Sequence, residues 1–185
     1  MTARILCLII LLLEIRGLSL SIPGRGLKAL IFYTQLSNLI TAVSVLLLVV
    51  IGQPYWVTLL RYISTCMLVM TFLVTICVLV PMGGDPKMLL WSGNGLYHHV
   101  LCPVISTASY ILVEEHVPGS LIWLPAVITL AYGLVMLYLN WHKKVDGPYP
   151  FFRIHNQSMT ATVIWMIVLM AVIIGIGTVV CCLAR

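Results

Sequence analysis

The sequence predicts an all-α membrane protein, with six transmembrane helices in one bundle and residues 1–185 forming a single transmembrane domain. Three observations predict it. Of 185 residues, 62% are hydrophobic and only 8% are charged, against roughly 25% charged in a soluble domain. So few charges cannot coat a water-exposed surface, and lipid has to cover most of it. The apolar residues also fall in runs near the roughly 20 residues that a spanning helix needs. The breaks between runs carry Gly, Pro or charge, as loops do.

The first segment covers residues 5–21 and is the least regular, because Glu14 and Arg16 fall in its last turns. A local ion pair, or snorkelling of the two side chains, is expected there. The same charges, and the lack of a small-residue cleavage site, argue against a cleavable signal. The second segment covers 29–51. The third covers 58–80 and stops at Pro81, with Gly83 and Gly84 beyond it; Arg61 is expected to anchor its start at the interface. The fourth covers 95–113, the fifth 120–141 and the sixth 159–183. The six cysteines form no CxxC pair and read as small buried hydrophobes, apart from Cys181 and Cys182 at a helix end.

Basic residues orient the bundle. The side where segments one, three and five end receives Arg16, Arg25, Lys28, Lys87, Lys143, Lys144 and Arg153. The other side receives Arg4, Arg61 and Arg185, with Glu114 and Glu115. The side with the 22–28 and 142–158 loops is therefore expected to be cytoplasmic, with both termini opposite. The basic residues sit between apolar runs, which is membrane topology and not a nucleic-acid surface.

Polar groups inside hydrocarbon are costly unless they pair or act. In segment two, Thr34, Ser37, Asn38, Thr41 and Ser44 follow helical spacing and line one face, which should turn inward. In segment four, His99, Cys102, Pro103 and Ser106 line another face. His98 points about 100° away from His99, so only one of them can face a given site. Pro103 leaves the His99 carbonyl without its helical partner and favours a kink. Both segments enter from the same side, and Thr34 and His99 are expected roughly 6–8 Å below that surface. Equal depth on parallel helices is what a hydroxyl–imidazole dyad requires. The loop over 140–153, with Pro148, Pro150 and several aromatics, either caps the entrance to a pocket or is an ordinary interfacial loop.

Three stretches carry a resemblance: Phe-Tyr-Thr-Gln-Leu-Ser-Asn-Leu at 32–39, Leu-Tyr-His-His-Val-Leu-Cys-Pro at 96–103, and Asp-Gly-Pro-Tyr-Pro-Phe at 146–151. In order and spacing the chain resembles the androgen-induced-gene family of multi-pass membrane proteins. The likeness is stronger to its small bacterial six-helix members than to its animal ones. Characterised members are intramembrane threonine hydrolases of fatty acid esters of hydroxy fatty acids. The resemblance implies a bacterial cytoplasmic-membrane location and places the nucleophile on Thr34. It puts the histidine at the start of segment four. His99, four residues before Pro103, fits; His98 fits if the register slips by one.

The implied reaction is lipid-ester hydrolysis. The imidazole takes the Thr34 proton as its oxygen attacks the ester carbonyl, and water later cleaves the acyl-enzyme. An oxyanion donor is also needed. By spacing alone, Asn38 is the first candidate and Ser37 the second, with His98 as a further pocket residue. The expected partners are a lipid ester substrate and membrane lipids, with no nucleic acid. No cofactor is expected: adjacent histidines diverge on a helix, no carboxylate joins them, and His99 with His142 or His155 is at the wrong depth for a haem. Two other readings use the same residues. Hydroxyls and amides in membrane helices commonly bond helix to helix. The polar cleft also suits a non-enzymatic lipid-binding or transport protein.

Overall fold

The computed structural model describes residues 1–184; Arg185, assigned above to the side opposite the long loops, lies outside the described residues. Its long helices are α1 (Thr2–Ser21), α2 (Tyr33–Ile51), α3 (Tyr55–Leu79), α4 (Gly93–Val113), α5 (Leu124–Trp141) and α6 (Met159–Leu183). No strand occurs among the described residues. Five helices, α2 to α6, are long and apolar enough to cross a membrane. The first helix has the length, but any 18-residue stretch of it contains Arg4, Glu14 and Arg16.

Local chemistry sets the boundaries. Gly52 ends α2 with φ 86°, a backbone that glycine adopts without a steric cost. Pro54 then starts α3. The Ser158 hydroxyl caps α6 by accepting from the Ala161 N–H at 3.1 Å. Residues Gly26–Ile31 form a 3₁₀ turn, so α2 begins at Tyr33 and not at 29. In α4 the expected disturbance before Pro103 takes the form of a widened turn over Leu96–Leu101, where the Cys102 N–H reaches back to the Tyr97 carbonyl. The missing proline N–H is absorbed by that wider turn.

Successive helices run antiparallel. One group packs α1 against α2 and α4, and α3 joins it to α5 and α6. The first core contains Cys7, Ile10, Val45, Leu48 and Val57. The second contains Tyr62, Met67, Tyr110, Leu169 and Ile173. Close approach is needed where α3 meets α6: the Tyr62 hydroxyl donates to the Gly177 carbonyl at 3.1 Å. A Cβ on Gly177 would lie 2.6 Å from the Ile122 carbonyl oxygen. Small residues at such crossings let backbones pack, which is how helices associate in lipid. The outward faces of α2, α5 and α6 expose Leu, Ile and Val. Cys77 is exposed too, unlike the buried Cys7, Cys66, Cys102 and Cys181.

Two charged residues depart from expectation. Arg61 is not an interfacial anchor but fully buried, with Nε and Nη2 at 2.8 and 2.9 Å from the two Glu114 oxygens. Ser44, Ser64 and Ser106 accept its remaining N–H groups, while Ser109 donates to Glu114. Glu14 does not pair with Arg16. It is fully buried beside Cys102, and neither of its oxygens has a hydrogen-bond partner. Residues two apart on a helix do not face each other, so Arg16 stays outside while Glu14 turns inward.

Candidate functional site

The α2 polar face is buried throughout, as its spacing predicts: Thr34, Ser37, Asn38, Thr41 and Ser44 all turn inward. Most of these groups serve their own helix. Ser37 Oγ and Asn38 Nδ2 donate to the Thr34 carbonyl at 3.0 and 2.7 Å. Thr41 and Ser44 bond back to Ser37 and Thr41. The donors of Ser37 and Asn38 are thus committed below Thr34 and do not reach its hydroxyl.

The Thr34 hydroxyl meets Tyr149 instead. The Thr34 N–H donates to the Tyr149 oxygen at 3.2 Å, and the phenol lies 3.2 Å from Thr34 Oγ1. An oxygen that accepts from the N–H leaves its own proton free for Oγ1. Burial pushes the Tyr149 phenol up from its ordinary pKa, and its bonds to Thr34 pull the other way. The group therefore stays a neutral donor across the physiological range.

Thr34 forms part of the wall of a narrow cavity of about 40 Å³. That volume holds roughly three waters at the ~10–15 Å³ each requires, or the reacting end of an acyl chain. Met70, Val74, Leu169 and Met170 supply apolar wall from α3 and α6. Tyr149, Phe151 and Phe152 close it from the loop between α5 and α6, so that loop does cap a pocket. The Tyr149 and Phe151 rings stack at 5.2 Å. Nearby, Tyr33 bonds Thr129 at 2.7 Å, and the Tyr132 hydroxyl donates to the Ile31 carbonyl at 2.6 Å. These bonds hold the start of α2 against α5.

The two histidines diverge, as adjacent helical residues must. His99 Nδ1 lies 2.7 Å from the Leu89 carbonyl and must carry the proton to bond it, which leaves Nε2 as the basic nitrogen. His98 is fully buried between α1, α2 and α4, with Nδ1 3.3 Å from Gln35 Nε2. An amide nitrogen can only donate, so His98 Nδ1 accepts and Nε2 bears the hydrogen. Among the described residues no hydrogen bond joins Thr34 to either imidazole, and neither histidine lines the Thr34 cavity.

Tyr149 is the residue that sequence reasoning passed over. The signal was the Asp-Gly-Pro-Tyr-Pro-Phe stretch, whose polar aromatic sits between two turn-setting prolines. Comparison of the chain with protein-family models, curated proteins and solved structures finds no match.

Proposed function

We propose that this protein is an intramembrane lipid-ester hydrolase with Thr34 as nucleophile and His99 as base. The observation that carries this reading is a buried threonine hydroxyl on the wall of an apolar cavity, with a neutral phenol 3.2 Å from it. The resemblance to the androgen-induced-gene family points to the same threonine. Of the two histidines, only His99 offers a basic Nε2, because the Leu89 carbonyl holds its other nitrogen.

The chemistry follows from these roles. Thr34 Oγ1 attacks the ester carbonyl carbon while its proton passes to His99 Nε2. The tetrahedral oxyanion collapses, the alkoxide leaves with that proton, and an acyl-threonine remains. Water, deprotonated by the same imidazole, cleaves the acyl group and restores Thr34. The Tyr149 phenol is the oxyanion donor in this scheme, in place of Asn38 or Ser37. The scheme requires that the substrate displace the phenol from Thr34 and that the imidazole come within reach, since Thr34 is bonded to Tyr149 and His99 to Leu89.

The second reading is lipid binding or transport without turnover. It is favoured by the hydrogen bond that Thr34 makes to a phenol and not to an imidazole. A fluorophosphonate probe separates the two. The hydrolase reading predicts labelling of the wild type, lost in Thr34→Ala and strongly reduced in His99→Ala but not in a conservative His98 variant. Unlabelled wild type in a folded preparation supports binding alone.

The finer topology belongs to the same proposal. We read α1 as a sixth span, its Glu14 facing the bundle and its ends held by Arg4 and Arg16. The side with the 22–28 and 142–158 loops is then cytoplasmic. Burial and pairing of Arg61 remove it from the opposing count, which sharpens the basic bias.

A further inference from the structure

Glu14 and His98 stand apart from the hydrolase scheme, and their orphan atoms are complementary. Both side chains are fully buried. Neither Glu14 oxygen has a hydrogen-bond partner of ordinary geometry, the weak donor Cys102 Sγ lying beside them, and His98 Nε2 lacks an acceptor. Gln35 Nε2, 3.3 Å away, is the donor to His98 Nδ1, while the nearest acceptor of the Ser21 proton is the Gly17 carbonyl at 2.8 Å. The proton of His98 therefore sits on Nε2, the orphan atom. That atom lies against Gly17, where a Cβ would approach it to 2.3 Å. Gly17 is one turn from Glu14 on the same face of α1, a separation of about 5–6 Å. The Glu14 carboxyl lies beside Cys102, one turn along α4 from His98, so it has to swing by about one helical turn to meet Nε2.

We propose that Glu14 is a proton-binding site within the membrane, and that His98 is the donor its carboxylate turns to when the proton leaves. A carboxylate stripped of water and partners is too costly to persist, so the unpartnered Glu14 described here carries its proton. The other charges around it do not serve as counter-ions. Within α1, Arg16 points outward and Cys7 is neutral; α2 carries no charged residue. From α3, Arg61 is consumed by both oxygens of Glu114. In α4, His99 is held by Leu89 and Cys102 is a neutral thiol. The ligand is thus a proton: Glu14 releases it to water, and the resulting carboxylate accepts from His98 Nε2–H. The helix contact that changes is α1 against α4.

The test is infrared difference spectroscopy on the full chain in lipid as pH is raised. A protonated-carboxyl C=O band that outlasts those of Asp85, Glu114, Glu115 and Asp146 as pH rises is expected in the wild type, and that band should be missing in Glu14→Gln, an isostere of the protonated acid. In His98→Leu the carboxylate loses a charge-assisted hydrogen bond, so the midpoint should rise by about one to two pH units. Gly17→Ala, which fills the space the carboxyl must cross, should raise it too. The same band in Glu14→Gln overturns the site. A midpoint unmoved in both His98→Leu and Gly17→Ala overturns the role of His98. No band that outlasts the others in the wild type, with a carboxylate stabilised by added sodium, would make the ligand a metal cation and not a proton.

Discussion

At the scale of single residues, side chains in this protein are decided by partners far away in sequence. Arg61 and Glu114 are 53 positions apart, and the Thr34–Tyr149 pair 115 apart. Tyr149→Phe removes only a hydroxyl, so the fold should hold while turnover falls about 10²–10³-fold, the usual effect of losing one oxyanion donor. Ester hydrolysis in lipid with kcat and KM separated checks this; an unchanged kcat would return the oxyanion role to another group. Arg61→Leu strands a buried carboxylate and should destabilise the protein by about 3–5 kcal/mol. Arg61→Leu combined with Glu114→Leu should recover most of that loss. Reversible unfolding in mixed micelles measures both, and a double variant no better than the single would mean the pair does more than cancel its own charge.

Elements were more legible than partners, and the reason is periodicity. The polar residues of α2 recur at helical spacing, so their shared inward face could be read from the sequence, and burial of all five agrees. The divergence of His98 and His99 follows from the same geometry. The pairing of Glu14 with Arg16 did not, because two-residue spacing never puts side chains together. Whether hydroxyls on a face bond their own helix or a neighbour is also not periodic. Ser37 and Asn38 sit beneath Thr34 as expected, yet donate to its carbonyl. The widened turn before Pro103 was legible as a disturbance but not as a wider turn. At this scale the crossing of α3 and α6 can be tested. Gly177→Val brings side-chain atoms onto the Ile122 carbonyl and Tyr62 hydroxyl, and should lower the unfolding temperature. Tyr62→Phe, which keeps the ring and loses the hydroxyl's hydrogen bond to Gly177, should do much less. Equal effects would mean that hydrogen bonding, not close packing, holds this crossing.

For the whole molecule, five helices meet the length and hydropathy of a span, and the sixth, α1, belongs to the proposal. A cysteine at Lys144, in a background without other cysteines, should react with an impermeant maleimide only after the cells are opened. A cysteine at Gln53 should react in intact cells. Reversed accessibility would invert the bundle, and the same side for both would remove a span between them. The molecule divides its polar interior in two. One region, near Thr34, opens to an apolar cavity under an aromatic loop. The other, between α1, α3 and α4, is buried and holds Glu14, His98 and the Arg61–Glu114 pair. A hydrolase uses the first; proton binding uses the second, and neither needs the other to stand.

The most direct measurement for the nucleophile is capture of the acylated protein. Wild-type protein is mixed with a long-chain ester, quenched in acid within the first turnover, digested and read by mass spectrometry. An acyl group is expected on the peptide containing Thr34, absent in Thr34→Ala and slow to clear in His99→Ala. Hydrolysis with no acyl-threonine at any time, or an acyl group on another residue, would contradict Thr34 as the nucleophile.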